Sequence, residues 1–539
     1  MKATALIHSV LSCQQAKEFE ASILTDEAAE WSAMKHAGKA LARLVIEDYT
    51  ELRPAPEHLR ILALIGKGNN GGDALIACGQ LLADFPRAKV DLVLTSPADE
   101  LRPLAARALQ QLEGRIQAHQ IASESDAAEI TEMLGAAGGR AGFHICIDGL
   151  LGMSFTPPLR APLLALIAAV NAYEAIDLRA SVDLPSGKGD APGEISGGIS
   201  GDASEEALSF RADFSYATGI AKKPLFAGIA DCGRVRYIDL GFFDTPQAEA
   251  LTANEFILTD TVLDPIRRLR PAAVDKREFG HLFVVGGSAY MPGALLMAVQ
   301  AAVRSGVGLV TAFAPASVAA VLSAQVPEAM WIPWPETSNG TLSPRAVPLL
   351  LDRIEQASAV LVGPGMGQDR NTEMVTQEIV KLVERPIILD ADALRVRVME
   401  VAQKRRAHFG RIVLTPHMGE FMRIAKLAEP NYLIKTLLDF SSSYRVVTVL
   451  KGAQTRICDG ESIVYNTQGG PVLSRGGSGD LLAGLIGGMI AQNNVCVATA
   501  VARGVMLHGL AAQRLARDKG QVAVHTSQVL DYLPEVLRA

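Results

Sequence analysis

The sequence predicts an α/β protein of two domains, each a mainly parallel sheet flanked by helices. Three observations carry that expectation. Short β-rich apolar runs alternate with segments whose apolar residues recur at three- and four-residue spacing. The runs come in two series, separated by a less periodic passage from Phe242 to Arg277. Several runs end in Gly, Asp or Pro-His, and in open α/β sheets the carboxyl ends of strands line the ligand crevice.

Residues 1–50 read as helical, chiefly through QQAKEFEASI and EWSAMKHAGKALARLVIEDY. The first strand series is ILALIG (61–66), VDLVLT (90–95), FHICIDGLLG (143–152) and ASVDLPSG (180–187), then FSYATG and RVRYIDLGF. A linker is expected near 245–260, giving domains over 1–250 and 251–539. The second series is HLFVVGGS (281–288), GLVTAF (308–313), AVLVGPG (359–365), PIILDADAL (386–394), RIVLTPH (411–417) and RVVTVLKG (445–452). Continuous apolar strands separated by helices imply parallel sheets covered on both faces.

The 539 residues suffice for more than one domain, and the net charge of −7 argues against general nucleic-acid affinity. An anionic ligand must then be held by local N–H groups and a few cations. The six cysteines form no C-x-x-C pair and no zinc spacing, so reduced thiols in a cytoplasmic protein are expected. The apolar opening run contains His8 and no A-x-A site follows, so no leader is expected. LLAGLIGGMIA is too short to span a bilayer and reads as a core helix; no membrane partner is expected.

Two glycine-rich segments carry the chemistry. The first, Gly66-Lys67-Gly68-Asn69-Asn70-Gly71-Gly72-Asp73, follows a strand and opens a helix. It matches G-x-G-x-x-G, with Asp91 about 20 residues on. Asp91 starts the next strand, where a ribose contact is not expected, so the ordinary dinucleotide reading is rejected. Asp148 and Asp183 stand at two further strand tips. Asn70, Asp148 and Ser186 supply oxygens suited to a hard monovalent or divalent cation, which leaves Asp183 for acid–base work.

The second segment, Gly476-Gly477-Ser478-Gly479-Asp480, runs into an apolar helix. Successive glycines and a helix start favour phosphate, and the carboxylate at the join is placed to take a proton from a hydroxyl. That layout is expected of a ribokinase-like phosphoryl-transfer site.

GKGNNGGDALIA, IDGLLGMSFTPPL and SVDLPSG resemble signature segments of the YjeF N-terminal family, the NAD(P)HX epimerases, over about residues 10–245. The resemblance implies a Rossmann-like three-layer domain. It implies that Asn69, Asn70, Gly71, Gly72 and Asp73, with Gly152, Met153, Ser154, Phe155, Thr156, Pro157 and Pro158, hold the hydrated dinucleotide. It further implies potassium at Asn70, Asp148 and Ser186, and substrate contact at Asp183. Ala74 and Lys188-Gly189-Asp190-Ala191 depart from the family pattern.

Residues of about 260–535 resemble the ADP/ATP-dependent NAD(P)HX dehydratases, a ribokinase-like branch, through VVGGSAYMPGALLMA, QVPEAM, GPGMG, ILDADAL, LTPHMGEF, VLKGAQTRI and GGSGDLLAG. The resemblance implies Asp480 as base and Gly479 at nucleotide phosphate. Lys451, Gly452, Ala453, Gln454 and Thr455 would hold the nucleotide. Ala294, Gly365, Gly367 and His417 would meet the substrate, His417 as hydrogen-bond partner or proton relay. Asp390 and Asp392 either orient magnesium-bound water or cap their strand. The expected reaction is repair of NADHX and NADPHX with ADP or ATP, potassium and magnesium as ions, one domain interconverting epimers and the other dehydrating one of them. The rival reading is a small-alcohol kinase with a non-catalytic N-terminal binding module. A homo-oligomer is expected from small-residue faces such as ALLMAVQAAVRSG.

Overall fold

The computed structural model describes residues 6–112, 114–156, 158–190, 208–227, 229–429 and 433–538. They form two compact units, His8–Ala253 and Asn254–Ala539, and the second unit also takes the start of the chain through Ile7. Leu6 belongs there because its carbonyl accepts from the Thr259 amide at 3.1 Å and the Thr259 hydroxyl at 3.0 Å.

The strands are β1 Ile7–Leu11, β2 Arg60–Ile65, β3 Lys89–Leu94, β4 Gln117–Gln120, β5 Phe143–Gly149, β6 Ile176–Val182, β7 Phe214–Thr218, β8 Ala221–Lys222 and β9 Arg234–Ile238. They continue with β10 Glu255–Leu258, β11 His281–Val285, β12 Leu309–Pro315, β13 Met330–Trp334, β14 Ala359–Val362, β15 Ile387–Leu389, β16 Ile412–Leu414, β17 Val446–Leu450, β18 Thr455–Cys458 and β19 Ile463–Asn466.

The N-terminal sheet has the order β4-β3-β2-β5-β6-β7-β9, and every pairing is parallel. Ile61, Ala63 and Ile65 of β2 enter one core cluster, while Leu62 and Leu64 enter another. Side chains alternate faces along a strand, so both faces of this sheet are covered. That is why ILALI is apolar throughout.

In the C-terminal unit the order is β13-β12-β11-β14-β15-β16-β17-β18-β19-β10. Its pairings are parallel except those of β18, which is antiparallel to both neighbours. Both sheets reverse direction beside their first central strand, between β2 and β5 and between β11 and β14. Loops on either side of such a switch point diverge and leave a crevice.

The opening fifty residues are not all helical. β1 is a fully buried strand that pairs in parallel with β8 through Val10–Ala221 and Leu11–Lys222. The helices Cys13–Ile23 and Glu27–Tyr49 then follow. Ser12 caps the first by accepting from the Gln15 amide at 3.1 Å, and Asp26 caps the second by accepting from the Ala29 amide at 2.8 Å. β13 also escapes the run pattern, because Pro333 and two tryptophans break it, which suits an edge strand.

Candidate active sites

The first site grows from the β2–β5 switch point. After β2 the chain turns at Gly66 and enters the helix Asn69–Asp84. A Cβ on Gly66 would lie 1.9 Å from the Leu150 carbonyl oxygen, so only glycine lets the two loops meet. The loops enclose a cavity of about 720 Å³. Asn69, Asn70, Asp73, Asp183 and the stretch from Gly152 to Thr156 line it, as the sequence anticipates. Gly71 and Gly72 do not; they are buried in the helix, where added Cβ atoms would strike Gly66 and Met34. Pro158 is exposed and off the lining, and Pro157 lies outside the described residues.

Asp148, Ser186 and Asn70 meet around the Leu150–Gly152 turn. The Ser186 hydroxyl and amide donate to Asp148 at 2.6 and 2.8 Å, and the Leu150 amide donates at 3.2 Å. Asn70 Nδ2 donates to the carbonyls of Leu151 (3.0 Å) and Val182 (2.8 Å). Burial pushes the Asp148 carboxyl up to about 6, against these neutral donors. A buried carboxyl beside a hydroxyl, backbone carbonyls and a side-chain amide, with no thiolate or imidazole among these groups, fits a hard monovalent cation.

Asp183 follows β6 in the left-handed region, at φ 66°. It accepts from the Thr218 amide and hydroxyl at 3.3 and 3.2 Å, and it is ion-paired with Lys222. Lys222 is 1% exposed in its side chain and is held by the β1–β8 pairing. Sequence reading missed it; the only signal was a lysine pair just past FSYATG. Asp73 and Glu20 complete the cluster. Burial, Asp183 and Glu20 push the Asp73 carboxyl well up against Lys222, and burial raises Glu20. The segment that departs from the family pattern has structural partners: Lys188 pairs with Asp231 at 3.0 Å, and Asp190 accepts from the Cys13 and Gln14 amides at 2.9 and 3.2 Å. Asp91 is bonded to His119 at 2.9 Å, consistent with rejecting it as a ribose ligand.

The second site lies at the strand ends beyond β14 to β17. Gly477, at φ 88°, opens the helix Ser478–Ala491, and Asp480 sits in its first turn. Arg475 fastens the glycine loop by donating to the carbonyls of Val524 (3.1 Å) and Gln521 (2.9 Å), and Thr526 donates to Gly476 O at 3.0 Å. Lys451, after β17, comes within 3.1 Å of a Cβ placed on Gly479. Its ammonium is 3.0 Å from Asp390 and 3.9 Å from Glu420. The Lys451 cation expected to meet the nucleotide is shared with Asp390. Burial opposes its charge, and Asp390 and Glu420 outweigh that and raise it.

Burial first, then Asp390 and Asp392, push the Asp480 carboxyl up to about 7, against Lys451. Asp390 also accepts from the Thr415 hydroxyl at 2.7 Å, and Asp392 from the Gly367 amide at 2.8 Å. His417 caps the helix Met418–Ala425: its ring accepts from the Glu420 amide at 3.3 Å, and its side chain is 61% exposed. Ala294 packs beside Gly365, and Gly367 beside Tyr290. Gln454 is buried, whereas Gly452 and Ala453 are exposed. Glu420 had no signal beyond its place after Pro-His. In the helix Pro292–Arg304, Ala298, Ala301 and Ala302 are buried in their own unit, with Ala298 and Ala301 against Gly484 of the helix Ser478–Ala491. No helix among the described residues is long and apolar enough to cross a membrane.

Two strand-end sites, one with a carboxyl in the first turn of a glycine-led helix, mark a two-domain α/β protein with a separate candidate site in each domain. Residues 31–223 match the family described as YjeF-related protein N-terminus, and residues 282–535 match NAD(P)H-hydrate dehydratase. The bifunctional NAD(P)H-hydrate repair enzyme Nnr of Moorella thermoacetica is 32% identical, over 89% of this chain and 87% of that protein. Its counterpart in Thermofilum pendens is 28% identical, over 97% and 96%. The ADP/ATP-dependent NAD(P)H-hydrate dehydratase of Bacillus subtilis, co-crystallised with ATP and magnesium, is 28% identical at a TM-score of 0.43, covering 51% of this chain and 95% of that one. The chain belongs to the family of bifunctional NAD(P)H-hydrate repair enzymes.

Proposed function

We propose that each unit catalyses one step of nicotinamide-cofactor repair: the first interconverts the epimers of NAD(P)HX, and the second dehydrates one epimer at the expense of ADP or ATP. The substrate is a reduced cofactor with water added across a ring double bond, its hydroxyl on the carbon bonded to the ring nitrogen. Hydroxide leaves poorly. In the second site Asp480 takes the hydroxyl proton while the oxygen attacks the terminal phosphorus of the nucleotide, whose bond to the bridging oxygen breaks and releases the nucleotide one phosphate shorter. The ring nitrogen then expels phosphate, and loss of a proton from the neighbouring carbon restores the double bond. The N–H groups of the glycine loop and the Lys451 ammonium stabilise charge on the phosphoryl group.

Asp390 positions Lys451, and His417 holds the substrate near Asp480. Magnesium would supply charge neutralisation to the nucleotide phosphates; Asp392 is the carboxylate suited to hold it, since among the described residues its side-chain hydrogen bond is at Oδ2, from the Gly367 amide. Potassium in the first site supplies a fixed positive charge, held by Asp148, Ser186 and Asn70. Asn69, Asn70, Asp73 and the stretch from Gly152 to Thr156 hold the dinucleotide, and Asp183 acts on its hydroxylated ring.

The observation that carries this reading is Asp480, half-buried at a helix start with its carboxyl raised to about 7. A base in that range changes protonation at working pH. The test is recovery of reduced cofactor from mixed epimers, with ADP, with ATP and with neither. Recovery of all the substrate requires both steps; recovery of half would leave the first unit without its assigned activity.

A further inference from the structure

The first cavity holds a cluster of carboxyl groups around one buried lysine. Glu20 from the helix Cys13–Ile23, Asp73 from the helix Asn69–Asp84 and Asp183 from the end of β6 all line it, and Lys222 lines it too. Lys222 is committed: it pairs with Asp183 and also donates to the Thr218 carbonyl at 3.3 Å. Asp73 is only 8% exposed and makes no side-chain hydrogen bond among the described residues. An isolated buried carboxylate is costly, so such a group keeps its proton. Asp183, by contrast, is paired with the Lys222 ammonium.

From this arrangement we infer that epimerisation is acid–base catalysis between two carboxyl groups, Asp73 as general acid and Asp183, held by Lys222, as general base. This rests on the epimerase reading of the first unit. Asp73 gives its proton to the substrate hydroxyl. The carbon–oxygen bond breaks, both electrons leave with oxygen, and water departs. The ring nitrogen's lone pair forms a carbon–nitrogen double bond, which flattens the carbon. Water then adds to the opposite face, and Asp183 takes the surplus proton. The substrate has lost one water and gained one. The proton that left Asp73 sits on Asp183, and exchange through solvent returns it to Asp73.

The groups that set the Asp73 proton are Asp183 and Glu20, which retain it, and Lys222, which opposes. Glu30, Lys67, Arg102 and Arg160 lie on the same cavity wall at the other elements. The rate should therefore fall as pH rises through the Asp73 titration.

The test uses the full chain without nucleotide, which silences the second site. In ¹⁸O-labelled water, label should enter the epimer pool at the rate of enzymatic epimerisation; epimerisation without label would overturn the inference. Asp73→Asn should lower kcat by about 100-fold or more, beyond any rise in KM from its contact with the dinucleotide, and abolish the alkaline limb. Asp73→Glu should recover about tenfold of that loss, as expected of a restored acid. Parental kcat in Asp73→Asn, or a change in KM alone, would overturn the role of Asp73. Thermal unfolding of the first unit in the same variants reports that it is folded. Failure of the unmodified chain to epimerise would instead overturn the epimerase reading.

Discussion

The two sites share a plan and differ in how deeply it is buried. In each, a lysine just past a strand is locked to an aspartate: Lys222 to Asp183, and Lys451 to Asp390. In each, a second carboxyl one turn into a helix is raised by burial: Asp73 and Asp480. The first lysine side chain is 1% exposed and the second 20%. Asp73 is raised well up, whereas Asp480 stops at about 7. On the proposed roles, the more deeply buried carboxyl is the acid and the less buried one, raised to about 7, is the base, so the same residue type would serve opposite proton transfers through a difference in desolvation.

The sharpest way to break this comparison is to remove the second base. Asp480→Asn should lower dehydration by about 100-fold or more and leave epimerisation intact, read by cofactor recovery and by epimer exchange. Equal loss of both activities would mean the sites are not independent.

The next test removes the locked cations. Lys222→Met leaves Asp183 buried and unpaired, so the first unit should lose about 3–5 kcal/mol of stability together with epimerisation. Lys451→Met, at a partly exposed pair, should cost the second unit less stability and chiefly impair nucleotide-dependent turnover. Thermal unfolding of each variant checks the order.

The pH dependence sharpens it further. Asp480 must be ionised to act, so dehydratase kcat/KM should rise with pH and level off above about 7. Asp392→Asn removes a negative neighbour, so that limb should move to lower pH. Epimerisation should show the opposite slope.

The smallest effect concerns ions. Replacing potassium by lithium should slow epimerisation about tenfold or less, and chelation of magnesium should leave it unchanged while stopping dehydration. Asp148→Asn should abolish the distinction between alkali metals.

Much of this was legible in the chain. Covered parallel strands need apolar residues on both faces, so ILALI, FHICI and VVTVL announce themselves without a structure. Strand-tip residues such as Asp148, Asp183 and Asp390 follow, because strand ends are where the runs stop. β1 was read as part of a helical region because IHSVL is short and leads directly into strong helical spacing. Lys222 depends on that missed strand, since β8 is two residues long and finds its place only by pairing with β1. Glu20 was hidden in the same way, as one of several acids on an amphipathic helix whose packing face the sequence did not fix.

The sequence by itself determined the two sheets, their glycine-lined switch points and the aspartates that end their strands, because these are local patterns of side-chain period and backbone freedom. Tertiary structure alone decided which carboxyl is charged. Protonation reflects burial and neighbouring charge summed over groups far apart in the chain, as when β1 fixes Lys222 against Asp183, and no local spacing encodes that sum.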